Sequence, residues 1–313
     1  MAEFIHHVTN EDDGLQVYEI LRNYFDFSSR LRTRIKRDKL VTLNGEETKG
    51  WYKVHPGDVV QVNLPEERSD FEPENIPLNP IFEDEDLLLI NKQPGLIVHP
   101  TKGNPSGTAA NALMYRMEQT GEHFKIRFVN RLDRDTSGIF IVAKNSYSQN
   151  EITKQMKSNQ TEKKYIAILE GIIEEDNGTV NVPIGRPDLD DVRRGVMMED
   201  GYPSITHFTV LERIPSRRLP IEYGLEGENP PDGYTVVQLV LETGRTHQIR
   251  VHMAHIGHPV LSDHLYGVER PMLIDRQALH AAELTFTHPA KGEKVHVEAP
   301  IPEDMNKALA KLR

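Results

Sequence analysis

The chain has 313 residues, 37% hydrophobic and 27% charged, with no cysteine and a formal net charge of −11. This length allows one large domain plus a smaller one, and the composition is that of an ordinary soluble globular protein. Lack of cysteine excludes disulfides, thiolate metal sites and a cysteine nucleophile and fits a cytoplasmic location, and no apolar run approaches the ~20 residues needed to cross a bilayer.

The N-terminal run Met1 to His7 lacks the charged-then-apolar pattern of a signal peptide, so none is expected. A net acidic chain argues against a polyanionic partner, because phosphate contacts need lysine and arginine. The charges are uneven, however: acid gathers in residues 66–85 and 222–232, and base in residues 30–39.

Residues 1–65 read as a small module. Apolar residues from Leu15 to Leu21 approach helical spacing. Ser28 or Ser29 can cap a second helix carrying Arg30, Arg32, Arg34, Lys36 and Arg37. Leu40 to Leu43 is a strand, Asn44-Gly45 a turn, His55 to Asp58 another turn, and Val59 to Val62 a closing strand. Leu43-Asn44-Gly45 and Pro56-Gly57-Asp58 resemble the turns of the S-four-like RNA-binding domain (the alpha-L motif), in which two helices with a basic face precede a small sheet. The resemblance implies that the five basic residues contact RNA; the plainer alternative is a solvated basic helix.

Residues 66–80 are acidic and proline-rich and read as a linker. Residues 81–313 then form the larger domain. Leu87 to Lys92, Ile139 to Ala143, Lys164 to Leu169 and Thr235 to Leu241 read as strands; Thr108 to Met117 and Ser148 to Met156 are the best helix candidates. Many strands and few helices predict an α+β domain on a mixed or antiparallel sheet. Gly224 to Gly233 reads as a surface loop.

The densest polar constellation is Asn130-Arg131-Leu132-Asp133-Arg134-Asp135-Thr136-Ser137-Gly138, a loop that enters an apolar strand. On chemistry alone, Asp133 or Asp135 can be a nucleophile, a base, a metal ligand or a cap, and Asp135 with Thr136 can simply close a turn. The segment resembles the H-R-L-D-x-x-T-S-G signature of the RluA family of pseudouridine synthases, and four further stretches match in order: Glu83 to Pro100, Lys163 to Ala167 with Gly171, Thr243-Gly244-Arg245-Thr246-His247-Gln248-Ile249-Arg250-Val251-His252, and Gln277 to Ala281. Three positions depart from the family: Asn130 stands where His is usual, Gln93 where Pro is common and Ser262 where Gly is common.

The resemblance implies the pseudouridine synthase fold and isomerisation of uridine in RNA, with ribosomal RNA favoured over transfer RNA, no cofactor and no metal. It places the catalytic carboxylate at Asp133, the active-site tyrosine at Tyr165 and the guanidinium beside Asp133 at Arg245. The plainer alternatives are a core tyrosine and a surface Arg245 paired with Glu242. Ile249 and Leu279 are candidates to line the pocket. Arg131 is expected to fill the gap left when the target uridine leaves its stack. A metal reading of His247, His252, His255 and His258 is set aside, since no His-Glu-x-x-His motif occurs. A non-catalytic RNA-binding protein on the same fold is the alternative, and nothing in the sequence calls for an obligate oligomer.

Overall fold

A computed structural model describes residues 2–313 apart from residues 26, 28, 65–68, 102, 189–190 and 216–230, and the side chains of residues 2, 3 and 30 also lie outside the description. The N-terminal module runs β1 (Ala2–His7), a 3-10 turn (Asn10–Asp12), α1 (Val17–Asn23), α2 (Ser29–Arg37), β2 (Val41–Leu43), β3 (Glu46–Glu47) and β4 (Val59–Leu64). Its antiparallel sheet has the order β1-β4-β2-β3. Asn44 and Gly45 take φ of 53° and 86°, the left-handed pair that a tight hairpin between β2 and β3 requires. Beneath the helices, Val17, Ile20, Leu31 and Ile35 join the module core, while Lys36 and Arg37 face solvent. Strand β1 was not foreseen; all six of its residues pair with β4.

The larger domain runs β5 (Pro80–Glu83), β6 (Leu87–Lys92), α3 (Ala109–Thr120), β7 (Arg127–Phe128), β8 (Ser137–Ala143), α4 (Ser146–Lys157), β9 (Glu162–Glu170), β10 (Asn177–Asn181), β11 (Ile184–Gly185), β12 (Gly195–Val196), β13 (Ile205–Pro215), β14 (Gly233–Leu241), α5 (Gln248–His255), β15 (Leu279–Thr287), β16 (Lys294–Glu298) and α6 (Glu303–Leu312). A ten-stranded sheet has the order β10-β13-β14-β9-β15-β8-β6-β5, with β16 on β15 and β7 on β8. All its described pairs are antiparallel except β15 with β8, so the sheet is mixed and the fold is α+β, as expected. The apolar runs in β6 and β8 do not alternate with polar residues because both faces are covered. Leu88, Ile90, Phe140 and Val142 face one core, and Leu87, Leu89, Ile139 and Ile141 face the other.

The stretch predicted as a linker is not a free spacer where it is described. Phe71, Ile76 and Leu78 pack against the main core, Asn111 Nδ2 donates to the Glu72 carbonyl at 2.8 Å, and the Ile126 amide donates to Ser69 Oγ at 2.8 Å. Three proline rings reduce donors and helix propensity, but the apolar residues between them still find a surface to cover. The module meets the larger domain through Tyr147 on α4, whose ring lies edge-on to Phe4 at 5.1 Å and to Phe27 at 6.2 Å. The loop predicted at residues 224–233 falls almost wholly outside the described residues.

Two features of the sheet prepare the loop that precedes β8. At the parallel seam His280 lies opposite Ser137 and Ala281 opposite Gly138. Gly138 has φ of +107°, and a Cβ there would sit 2.2 Å from the Ala281 carbonyl oxygen, so only glycine lets the strands meet. Lys92, at the end of β6, is fully buried, and its ammonium donates to the carbonyls of Gln93 (3.0 Å), Leu96 (2.9 Å) and Arg134 (2.7 Å). Three donors meet three acceptors, tying the turn after β6 to the loop before β8. Burial pulls its pKa down to about 7, partly opposed by the negative charges of Asp135 and Asp133.

Gly138→Ala is expected to cost at least about 3 kcal/mol or to prevent folding, read as a lowered Tm or insoluble expression; a Tm within a degree of wild type would refute the close-approach argument. For Lys92, the ordinary pKa of 10.5 in the unfolded chain exceeds the folded value of about 7. Below pH 7 both states are protonated and the fold bears the whole penalty. Between those two values the unfolded chain binds more protons, so this group makes stability rise with pH. Urea midpoints measured from pH 7 to 10 should therefore climb less steeply in Lys92→Met than in wild type.

Candidate active site

The loop before β8, the buried tyrosine of β9, the start of α5 and the first residue of β15 converge on one cavity of about 60 Å³. Asp133, Tyr165, Arg131, Arg245, Ile249 and Leu279 all line it, joined by His247 and Arg250. These residues are far apart in the chain and meet because β9 and β8 flank β15 in the sheet.

Asp133 is held by backbone structure around it. The Thr136 amide donates to the Asp133 carbonyl at 3.2 Å, closing a turn. Asn130 Oδ1 accepts the Ile141 amide at 2.8 Å, so the residue that departs from the family signature anchors the loop to β8. On the far side Arg276 fans across the loop, donating to the carbonyls of Asp135 (3.0 Å) and Leu279 (3.2 Å) and to Ser137 Oγ (3.2 Å), while Asp304 on α6 takes its other edge at 2.6 and 3.0 Å. Asp135 thus contributes its backbone carbonyl to this clamp, and Asp133 turns its side chain to the cavity.

The guanidinium on Asp133 is Arg250, not Arg245. Arg250 Nη1 donates to Asp133 Oδ2 at 3.2 Å. Its other edge forms a two-point pair with the fully buried Asp263, Nε to Oδ2 and Nη2 to Oδ1, both at 2.7 Å. Arg245 lies five residues earlier in the loop. It donates to the Pro203 carbonyl at 3.4 Å and rests over the Tyr202 ring at 5.4 Å. Nor is Arg245 paired with Glu242, which instead meets His207 at 2.7 Å. The reason is the helix start. Gln248 accepts from Thr243 Oγ1 (2.8 Å) and the Arg245 amide (3.0 Å), so the chain enters α5 after a pinned loop and Arg250 falls on the buried face.

Tyr165 is buried, and burial together with the nearby charge of Asp133 pushes its hydroxyl up to about 12. It is protonated at neutral pH. His247 takes φ of 58°, a left-handed conformation uncommon outside glycine and asparagine, and its Nε2 lies 3.9 Å from Asp133 Oδ2. Burial holds its pKa below the ordinary value despite Asp133, so it is neutral at pH 7. Arg131 is exposed at the rim and donates to Thr246 Oγ1 on the opposite loop. Ser262 also has a positive φ of 58°, which explains a glycine preference there, and its Oγ accepts the Arg270 amide at 2.7 Å.

The basic residues of α2 do not line this cavity. Arg34 and Arg37 pair with Asp38, Arg32 donates to the Phe27 carbonyl, Lys36 faces solvent, and the Arg30 side chain lies outside the described residues. The histidines do not assemble a metal site. His252 is held between Thr206 Oγ1 (2.9 Å) and the Val182 carbonyl (3.1 Å), and His258 lies on the Glu170 carbonyl at 3.0 Å. Among the described residues the only group of three or more possible metal ligands is Asp84, Asp86 and His288, and Asp84 there already holds the Lys291 ammonium at 2.9 Å. No described helix is long and apolar enough to cross a membrane.

Sequence reasoning missed Arg250, Asp263, Tyr266 and Lys92. Arg250 stood inside a recognised motif; a helical reading from Gln248, with Ile249 and Met253 buried, would have put it on the inner side. Asp263 carried no local signal.

The family model described as RNA pseudouridylate synthase matches residues 86–255. A Bacillus subtilis protein described as the uncharacterized RNA pseudouridine synthase YlyB is 40% identical over 289 residues, covering 90% of this chain and 89% of its own. Ribosomal large subunit pseudouridine synthase D of Haemophilus ducreyi is 37% identical over 319 residues, covering 96% and 91%. Among solved structures, human RNA pseudouridylate synthase domain containing 1 aligns with a TM-score of 0.55 at 29% identity, over 72% of this chain and 83% of that one. With the family model spanning more than half the chain and relatives matching nearly all of it, this chain belongs to the RNA pseudouridylate synthase family.

Proposed function

We propose that this enzyme isomerises uridine in structured ribosomal RNA, without a cofactor, using Asp133 at the sugar of an extruded nucleotide. The observation that carries this reading is that Asp133 is the one carboxylate among the described residues lining the cavity, and it sits against Arg250 with Tyr165 across from it. The ribosomal substrate is supported by the relative named for the large subunit.

The reaction breaks the C1′–N1 bond, turns the uracil and forms a C1′–C5 bond; C5 loses a proton and N1 gains one, so nothing is oxidised or reduced. Asp133 acts either by adding to C1′ or by taking a proton from C2′ to give a glycal; both routes require an ionised carboxylate, and Arg250 Nη1 donates to it at 3.2 Å. Tyr165 offers a ring to the base and a protonated hydroxyl to its polar edge. Arg131 reaches from the cavity rim to Thr246; swinging out to admit the base frees it to occupy the vacated stack in the RNA. Residues 1–65 act as an S-four-like RNA-binding domain, with α2 making phosphate contacts that position the substrate while the cavity reads the base.

Unmodified ribosomal RNA transcribed with uridine tritiated at C5 should release tritium to water when incubated with the enzyme. Asp133→Asn should lower release by roughly 10³-fold or more while leaving Tm close to wild type; release at the wild-type rate would eliminate the proposed chemistry. Arg131→Ala should fold normally yet release tritium from the same transcript at least about tenfold more slowly. An unchanged rate would remove its role in base exchange.

A further inference from the structure

One group at the cavity has a donor with no partner in the proposed chemistry. His247 lies on the wall beside Asp133, and its tautomer can be read from its surroundings. The Arg194 backbone N–H donates to Tyr266 Oη at 2.7 Å, so that oxygen is already an acceptor. The hydroxyl proton of Tyr266 then has one acceptor within reach among the described residues, His247 Nδ1 at 2.8 Å. Were Nδ1 to carry the imidazole proton instead, the half-buried hydroxyl proton would be left without a partner. Nδ1 therefore accepts and Nε2 bears the N–H. That nitrogen points to the cavity, 3.9 Å from Asp133 Oδ2, beyond hydrogen-bond range of it.

The arrangement is built rather than incidental. His247 holds its left-handed backbone, φ 58° and ψ 19°, at the mouth of α5. Tyr266 sits under both partners of the site: its ring meets the Arg250 guanidinium at 5.2 Å and the His247 imidazole edge-on at 5.7 Å. Its backbone amide also donates to Asp263 Oδ1 at 3.2 Å, so the same turn that fixes the guanidinium fixes the imidazole.

Resting on the reading of Asp133 as the carboxylate at the sugar, we propose that His247 Nε2–H donates a hydrogen bond to the 2′-hydroxyl of the target nucleotide and so helps the site select RNA over DNA. Either route for Asp133 places its carboxylate against C1′ or C2′. A donor on the same wall, one atom's width from that carboxylate, faces the oxygen on C2′. The 2′-hydroxyl is the group that distinguishes ribose from deoxyribose. His247 is then a binding residue and Tyr266 a positioning residue that acts through it.

The test uses full-length protein and two ribosomal RNA transcripts, one made with uridine and one with 2′-deoxyuridine, which removes the acceptor oxygen on C2′. Affinities are measured by filter binding in the Asp133→Asn background, where no turnover intervenes. The parent should prefer the hydroxyl transcript by roughly fivefold, the size of one net hydrogen bond. His247→Gly, which tolerates the left-handed backbone, should abolish the preference; His247→Asn, which tolerates it and keeps an N–H donor, should retain part. Tyr266→Phe should reduce the preference, and its effect should not add to that of His247→Gly. Equal affinity of the parent for both transcripts, or a preference that survives His247→Gly, overturns the inference. Tritium release by the wild-type enzyme from the uridine transcript checks the underlying reading separately: its absence counts against the reading, while release together with an unchanged preference in His247→Gly counts against the inference alone.

Discussion

The site depends on one buried guanidinium shared by two carboxylates. Burying Arg250 away from water costs several kcal/mol unless its charge and its N–H groups are met. Asp263, fully buried, meets them with two bonds at 2.7 Å and cancels the charge. The remaining Nη1 reaches Asp133 at 3.2 Å. Of the three groups, two are acids and one is a base, so the cluster retains one negative charge, and it resides on the more exposed member, Asp133. Were Arg250 paired with Asp133 alone, the same contact would balance the charge of the carboxylate on which the proposed reaction depends.

That arrangement sets the demands on everything around it. Asp263 must be rigid, and the amides of Leu265 and Tyr266 converge on its Oδ1 at 3.0 and 3.2 Å. The loop carrying Asp133 must not drift, and it is held on three sides: by Lys92 beneath the Arg134 carbonyl, by Arg276 on the Asp135 carbonyl and by Asn130 on β8. Two of these three clamps, Lys92 and Arg276, bind carbonyl groups rather than the Asp133 carboxylate. They fix position without taking a share of its charge. The parallel seam of β8 and β15 adds a steric condition at Gly138. A mixed sheet is therefore tied to function: antiparallel neighbours bring Tyr165 and Leu279 alongside, and the single parallel pairing aims the loop at them.

Much of this was legible in advance. Strands β6, β8, β9 and β14 and helices α3 and α4 stood out by apolar runs, and the Asn44-Gly45 hairpin by its turn chemistry. Other elements were not read. Strand β1 is short and half-exposed, and its pairing with β4 spans more than fifty residues. Helix α6 buries Met305, Ala308, Leu309 and Leu312 at helical spacing, a pattern present but brief and next to prolines. Proline content says how residues 66–80 are stiffened and not what Phe71 and Leu78 will cover.

The amino-acid sequence by itself determined the chemistry on offer: an ordered set of motifs, one loop bearing Asp133, a tyrosine and two arginines in a single run. Only the tertiary structure decided which arginine serves the carboxylate. Arg245 and Arg250 share a motif, and their roles separate only once Gln248 pins the loop and α5 begins, turning one side chain outward over Tyr202 and the other inward to Asp263. The choice rests on a helix boundary and on a partner thirteen residues downstream of Arg250, quantities that no local pattern encodes.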